Sequence, residues 1–82
     1  MTVMADVIRV LGEVLALGER TNKLTADTAL LGAMPEFDSM AVLGVITQLE
    51  SVFGISIGDD EISAETFETV GSLAAFVEQK RG

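Results

Sequence analysis

The sequence predicts an all-α fold: a small four-helix bundle with a long first loop and a short third helix. Three features of the 82-residue chain point there. Apolar residues return at helical spacing within residues 3–17, 39–53 and 69–80. Residues that favour helix starts and stops stand at the edges of those segments, among them Thr2, Gly18, the Asp38–Ser39 pair and Thr69. Finally, 49% of the residues are hydrophobic, which argues for a folded chain, and the length of 82 residues argues for a single domain over residues 1–82. A domain this short has little core to spare, and with no cysteine it draws no help from disulfides or thiolate-bound metal.

The first helix, residues 3–17, gathers Met4, Val7, Ile8, Leu11, Val14 and Leu15 on one face and Asp6, Arg9 and Glu13 on the other. Thr2 suits its N-cap, and Gly18 suits the left-handed position past its end. Residues 19–38 show no clear period, and connections of that length are often functional. Leu24, Leu30, Leu31, Met34 and Phe37 are spread through the loop and are expected to pin it to the core, while Pro35 argues against a helix running through it. In the second helix, residues 39–53, Val42, Val45, Ile46, Leu49 and Phe53 share one side. Met40, Gly44, Thr47, Gln48 and Ser51 fall on the other, which makes Met40 the only large apolar residue towards solvent; Ser39 and Glu50 lie near a border of the apolar stripe. "GISIG" bends the chain, and "DDEISAETF" holds the short third helix, whose first turn favours Asp59, Asp60 and Glu61. In the last helix Thr69 caps, Val70, Leu73, Ala74 and Val77 face inward, and Lys80 and Arg81 suit the C-terminal end; Gly71 lowers helix propensity slightly.

Composition narrows the function classes. A net charge of −8 repels phosphate backbones, so nucleic acid is not an expected partner, and basic partners are favoured. No apolar run approaches the ~20 residues that span a bilayer. The segment "MTVMADVIRV" carries Asp6 early and lacks a basic start, which is read as a cytoplasmic location. Enzymatic chemistry finds few players. A serine nucleophile needs a base, usually His and sometimes Lys; the chain has no His, and its lysines are Lys23 and Lys80. The acidic stretch "GDDEISAE" does not alternate its ligands as a calcium loop requires, so no metal site is expected and a solvated helix start explains it.

One junction stands out. "PEFDSM" closes the long loop and opens the apolar run "AVLGVITQLESVFGI". Spacing alone favours a plain reading in which Asp38 or Ser39 is an N-cap. That reading leaves the rest of the combination unexplained: an apolar Met directly after the serine, a pinned loop before it, and an acidic chain without catalytic groups.

Together these residues resemble the acyl carrier protein family, the phosphopantetheine-binding carrier domains. "LTADTALLG" is similar to the family's loop, "FDSMAVLGVITQLESVFGI" to its Asp-Ser-Leu segment and following helix with Met40 in the Leu place, and "DDEISAETFETVGSLAAFV" to its last two helices. The resemblance implies a non-catalytic carrier with a 4′-phosphopantetheine arm on Ser39. A phosphopantetheinyl transferase would install the arm from coenzyme A with magnesium, and its thiol would hold acyl or aminoacyl groups as thioesters for loading and transfer enzymes. It further implies that Asp38, Met40 and Glu50 meet partners, and that the protein is a monomer. It also implies that Val45, Ile46, Leu49 and Ile62 are candidates to line an acyl groove, although an ordinary filled core is the plainer expectation for the unloaded protein. The outward side of the second helix, read as Ala41, Gly44, Thr47, Gln48 and Ser51, departs from the carboxylate-rich helix of fatty-acid carriers. That points to a dedicated carrier making, for example, a polyketide, a peptide, an envelope ester or a modified exopolysaccharide. The competing readings are a helical interaction domain in which Ser39 only caps, and a small acidic metal-binding regulator.

Overall fold

The structure, a computed structural model, describes residues 3–31 and 37–81. Thr2, Met34 and Pro35, to which the sequence assigned a cap, an anchor and a break, lie outside the described residues. Three α-helices are seen among the described residues: α1 (Val3–Val14), α2 (Ser39–Phe53) and α3 (Val70–Arg81). Two short 3-10 segments, Gly18–Lys23 and Asp59–Glu61, lie between them.

The apolar period of α1 does what it predicts. Val7 and Leu11 are fully buried, and the helix packs against both α2 and α3. It ends earlier than residue 17, however. Leu17 N–H donates to the Gly12 carbonyl (3.0 Å) and Ala16 N–H to that of Glu13 (3.4 Å), with Ala16 in the left-handed region (φ 53°). This is the paired closure that ends many helices, built on an alanine instead of the expected Gly18. Gly18 is left-handed as expected (φ 59°), but it opens the first 3-10 segment and does not close α1. The long loop is thus shorter than the sequence suggested, because a local turn forms where periodicity was absent.

After that segment the chain runs alongside the entry to α3. Leu30 N–H donates to the Glu68 carbonyl (2.9 Å), Leu31 N–H to that of Phe67 (3.1 Å), and Val70 N–H to that of Thr28 (3.0 Å). These bonds flank an isolated antiparallel bridge between Ala29 and Thr69. Leu30 and Phe37 are buried as expected, and Leu24 packs on the core. Leu31 is 43% exposed and is not an anchor; the bridge alternates side chains, so burying Leu30 turns its neighbour outward.

Thr69 caps α3 as the sequence indicated. Ser72 N–H donates to Thr69 Oγ1 (3.1 Å) and Thr69 N–H to Ser72 Oγ (3.0 Å), a reciprocal cap with serine in the third position. Gly71 has a tertiary reason to be glycine. Its N–H donates to the Ala26 carbonyl (2.9 Å), and a Cβ there would stand 2.9 Å from that oxygen and 3.3 Å from the Ala26 Cβ. Gly71→Ala is therefore expected to destabilise by ~1–3 kcal/mol through overpacking against backbone. Helix propensity alone favours Ala by up to about 1 kcal/mol. A urea melt decides between the two, since a more stable variant would mean that the loop yields freely.

The short third helix takes the form of the 3-10 segment at Asp59–Glu61 followed by turns over residues 64–67. So few residues do not repay helix nucleation, and side chains claim the local donors instead. Glu61 Oε1 accepts from Gly58 N–H (2.9 Å), and Thr66 N–H donates to Ser63 Oγ (3.3 Å). Lys80 of α3 closes on Glu61 through both carboxylate oxygens (2.9 and 2.7 Å), and Arg81 lies 5.6 Å from the Phe53 ring centroid.

The Lys80 ammonium, with help from the Gly58 N–H, holds the Glu61 carboxyl below its ordinary value of 4.5. A depressed carboxyl pKa contributes stability that is present above the unfolded value and is lost as pH falls through the folded one. The stability gap between wild type and Lys80→Met should therefore be open at neutral pH and close in acid below about pH 4.5. Denaturant melts at the two pH values check this. A gap that persists in acid would mean that Lys80 acts through its methylenes.

Candidate functional site

The start of α2 is set by burial on one side of it. Phe37 is 4% exposed and packs on Phe67, 3% exposed, with ring centroids 5.7 Å apart and planes tilted by 40°. Phe37 thus anchors the chain to the 64–67 turns just before the helix begins. The next residue, Asp38, is extended (φ −99°, ψ −173°), and its Oδ1 accepts from Ala41 N–H at 2.9 Å. Its carbonyl accepts from Val42 N–H at 2.9 Å, the first bond of the helix. Asp38 is the N-cap.

The open choice at the junction is thereby made. With Asp38 capping, Ser39 becomes the first helical residue. Its side chain is exposed, and among the described residues its hydroxyl has no hydrogen-bond partner. The N–H groups of Ser39 and Met40 belong to the first turn, which has no carbonyl partners within the helix, and they point along the axis towards the space beside that hydroxyl. Such a helix start favours an added phosphate, so the local residues fit a phosphodiester on this oxygen.

The other singled-out residues are distributed as follows. Met40 is 78% exposed, beside Ser39. Val45 and Leu49 are fully buried and Ile46 nearly so, and Ile62 packs on the same core. The four form a filled interior. Glu50 turns inward: its Oε2 accepts from Ile57 N–H at 2.8 Å, so it braces the turn after α2. That turn begins at Gly54, left-handed at φ 64°, whose N–H bonds the Glu50 carbonyl.

The outward face of α2 is rotated from the expected one. Gly44 lies against α1, where a Cβ would meet Val14 Cγ1 at 3.1 Å, and Ala41 packs on the core. Met40 is not the only large apolar residue facing solvent, since Leu43 is 60% exposed and Val52 41%. Leu43 sits only about 60° from Met40 around the helix, so the wheel itself carried the signal. The usual assumption that leucine points inward hid it. Lys80, one of the two lysines available as a base for a serine nucleophile, is committed to Glu61.

Comparison with known proteins bears directly on this geometry. Residues 5–77 match the family model described as a phosphopantetheine attachment site. The chain is a member of the acyl carrier protein family. It is 33% identical over 79 residues to an acyl carrier protein of Exiguobacterium sibiricum, covering 93% of this chain and 90% of that one. A second Exiguobacterium acyl carrier protein is 33% identical over 81 residues, covering 95% of this chain and 92% of the other. The solution NMR structure of a holo acyl carrier protein from Nitrosomonas europaea superposes with a TM-score of 0.89 at 60% identity, covering 98% of this chain and 96% of that one. The carrier accordingly bears a covalent 4′-phosphopantetheine group, and the family to which it belongs is non-catalytic and serves modifying and acyl-handling enzymes. Among the described residues, no helix is long and apolar enough to cross a membrane.

Proposed function

We propose that Ser39 is the attachment point of the arm, on a single carrier domain that spans residues 1–82. The observation that carries this reading is the division of labour at the start of α2: Asp38 satisfies the helix end, and the exposed Ser39 hydroxyl is left without a structural duty. A phosphopantetheinyl transferase supplies the group from coenzyme A with magnesium. The Ser39 oxygen forms a bond to the pantetheine-side phosphorus, the pyrophosphate linkage breaks, and adenosine 3′,5′-bisphosphate leaves. The hydroxyl proton passes to a base on the transferase.

The arm then contributes the thiol that the cysteine-free chain lacks, and acyl or aminoacyl groups ride on it as thioesters. Tethering raises the effective concentration of the cargo at a docked enzyme. We assign the carrier to a dedicated biosynthetic pathway, because α2 presents Met40, Leu43, Thr47 and Ser51 to solvent where a carboxylate row would serve many basic partners.

Mass spectrometry tests the proposal. The purified chain, coenzyme A, magnesium and a broad-specificity transferase should give one added phosphopantetheine, and fragmentation should place it on Ser39. Modification at another residue would overturn the assignment.

A further inference from the structure

One surface cleft shares no residue with the Ser39 site. It opens between the first half of α1 and the 3-10 segment Gly18–Lys23, has a volume of about 430 Å³, and is lined by Ala5, Ile8, Arg9, Thr21, Asn22 and Leu24. None of these residues belongs to α2 or α3, so the cleft is also distinct from the interior around Val45 and Leu49. Its volume falls in the range of small-molecule sites, about 300–1,000 Å³.

The two walls are fitted together by the fold itself. Where Thr21 meets α1 the helix carries Gly12, and a Cβ there would run into the Thr21 side chain. The missing side chain lets the segment sit directly on the helix, while Ile8 and Leu24 both pack on the core. A ligand therefore has no walls to order when it binds.

The lining has two chemistries. Ile8 and Leu24 are half-buried, so what each leaves exposed is an apolar floor. Arg9 is cationic and its side chain is 58% exposed. One of its N–H groups donates to Asp6 Oδ1 at 3.1 Å, and the rest of the guanidinium has no partner among the described residues. The same holds for the Thr21 hydroxyl and the Asn22 amide. The charge around the cleft also differs from that of the rest of the chain. Residues 1–24 hold three of the five cations, Arg9, Arg20 and Lys23, but only three of the 13 acidic residues, so the whole net charge of −8 resides in residues 25–82. An anion that the rest of the chain repels meets no net repulsion from this part.

We propose that this cleft binds an aliphatic carboxylate, with the carboxylate on the Arg9 guanidinium and the Asn22 amide and the hydrocarbon chain over Ile8 and Leu24. An apolar floor alone takes any hydrophobe and a cation alone takes any anion, but the two side by side select a molecule that has both. The planar donors of Arg9 match the two oxygens of a carboxylate. The site does not involve the arm, so it stands or falls independently of the assignment of Ser39.

The experiment titrates the holo carrier with sodium octanoate at low salt and follows the backbone amide shifts by NMR. The shifts should saturate and centre on residues 5–9 and 21–24. Octylammonium, which has the same chain and the opposite charge, and inorganic phosphate, an anion without a chain, should each bind severalfold more weakly. Arg9→Gln should raise the Kd by about threefold, the scale of one exposed charge contact. Raising NaCl from about 50 to about 500 mM should weaken binding in the same direction. Arg81→Gln, which removes a cation of α3 and changes the net charge equally, should bind octanoate as wild type does. Circular dichroism checks that each variant folds, and the ligand and salt series need no variant.

Shifts centred on α2 and α3 would put the chain in the interior instead and overturn the proposal. Equal binding of octylammonium or phosphate, an unchanged Kd in Arg9→Gln, or the lack of any saturable shift would overturn it as well.

Discussion

Ser39→Ala is expected to take up no phosphopantetheine while folding as well as wild type. The two halves of this result have separate causes. The hydroxyl is the only atom group the substitution removes, and no described residue bonds to it, so nothing in the fold loses a partner. An exposed change of this kind shifts stability by no more than about 0.5 kcal/mol. The neighbouring change makes the contrast. Asp38→Ala removes the acceptor of the Ala41 N–H and should cost ~1 kcal/mol, the usual loss when a cap is deleted. A cap-only role for Ser39 predicts the reverse order, with Ser39→Ala the more damaging substitution. Thermal melts of the two variants beside a mass spectrum of each separate the readings in one set of samples. A Ser39→Ala protein that still gains the group, or one that melts far below wild type, would defeat the tether.

Phe67→Ala is expected to cost ~3–5 kcal/mol, the range for deleting a buried aromatic ring. Phe67 is 3% exposed and is the partner of Phe37, so its loss opens a cavity under the residue that leads into Asp38 and Ser39. Small domains have only ~5–15 kcal/mol in total, so the variant should sit near its unfolding midpoint under mild conditions. A fall in Tm on the order of 20 °C follows for a chain of this size. Phe67→Leu keeps apolar volume and should lose markedly less. A Phe67→Ala protein that melts within a few degrees of wild type would show that the ring pair does not hold the start of α2.

The approximate places of the three α-helices and the centre of their buried faces were legible in the sequence, because a period of 3.6 places Val45, Ile46 and Leu49 on one side whatever they pack against. The Thr69 cap and the place of Ser39 at the start of α2 were legible for a similar reason: both depend on residue type at a local junction. Other features were not local. Gly71 read as a small defect in a helix, and only the loop at Ala26 gives it a purpose. The bond from the Ile57 N–H to Glu50, across seven residues, could not be read from helical spacing either.

The sequence by itself determined that this chain is an acidic, cysteine-free helical protein with a serine at the mouth of its central helix. These are properties of composition and of short-range spacing. Only the tertiary structure decided which residue caps that helix, which way Leu43 and Gly44 face, and how the last turn of the chain is fastened. Each of those depends on contacts between segments distant in sequence: Phe37 on Phe67, Val14 against Gly44, Lys80 on Glu61. A helical period fixes angles around one axis, but the rotation of that axis against its neighbours is set by packing, and packing is a property of the whole fold.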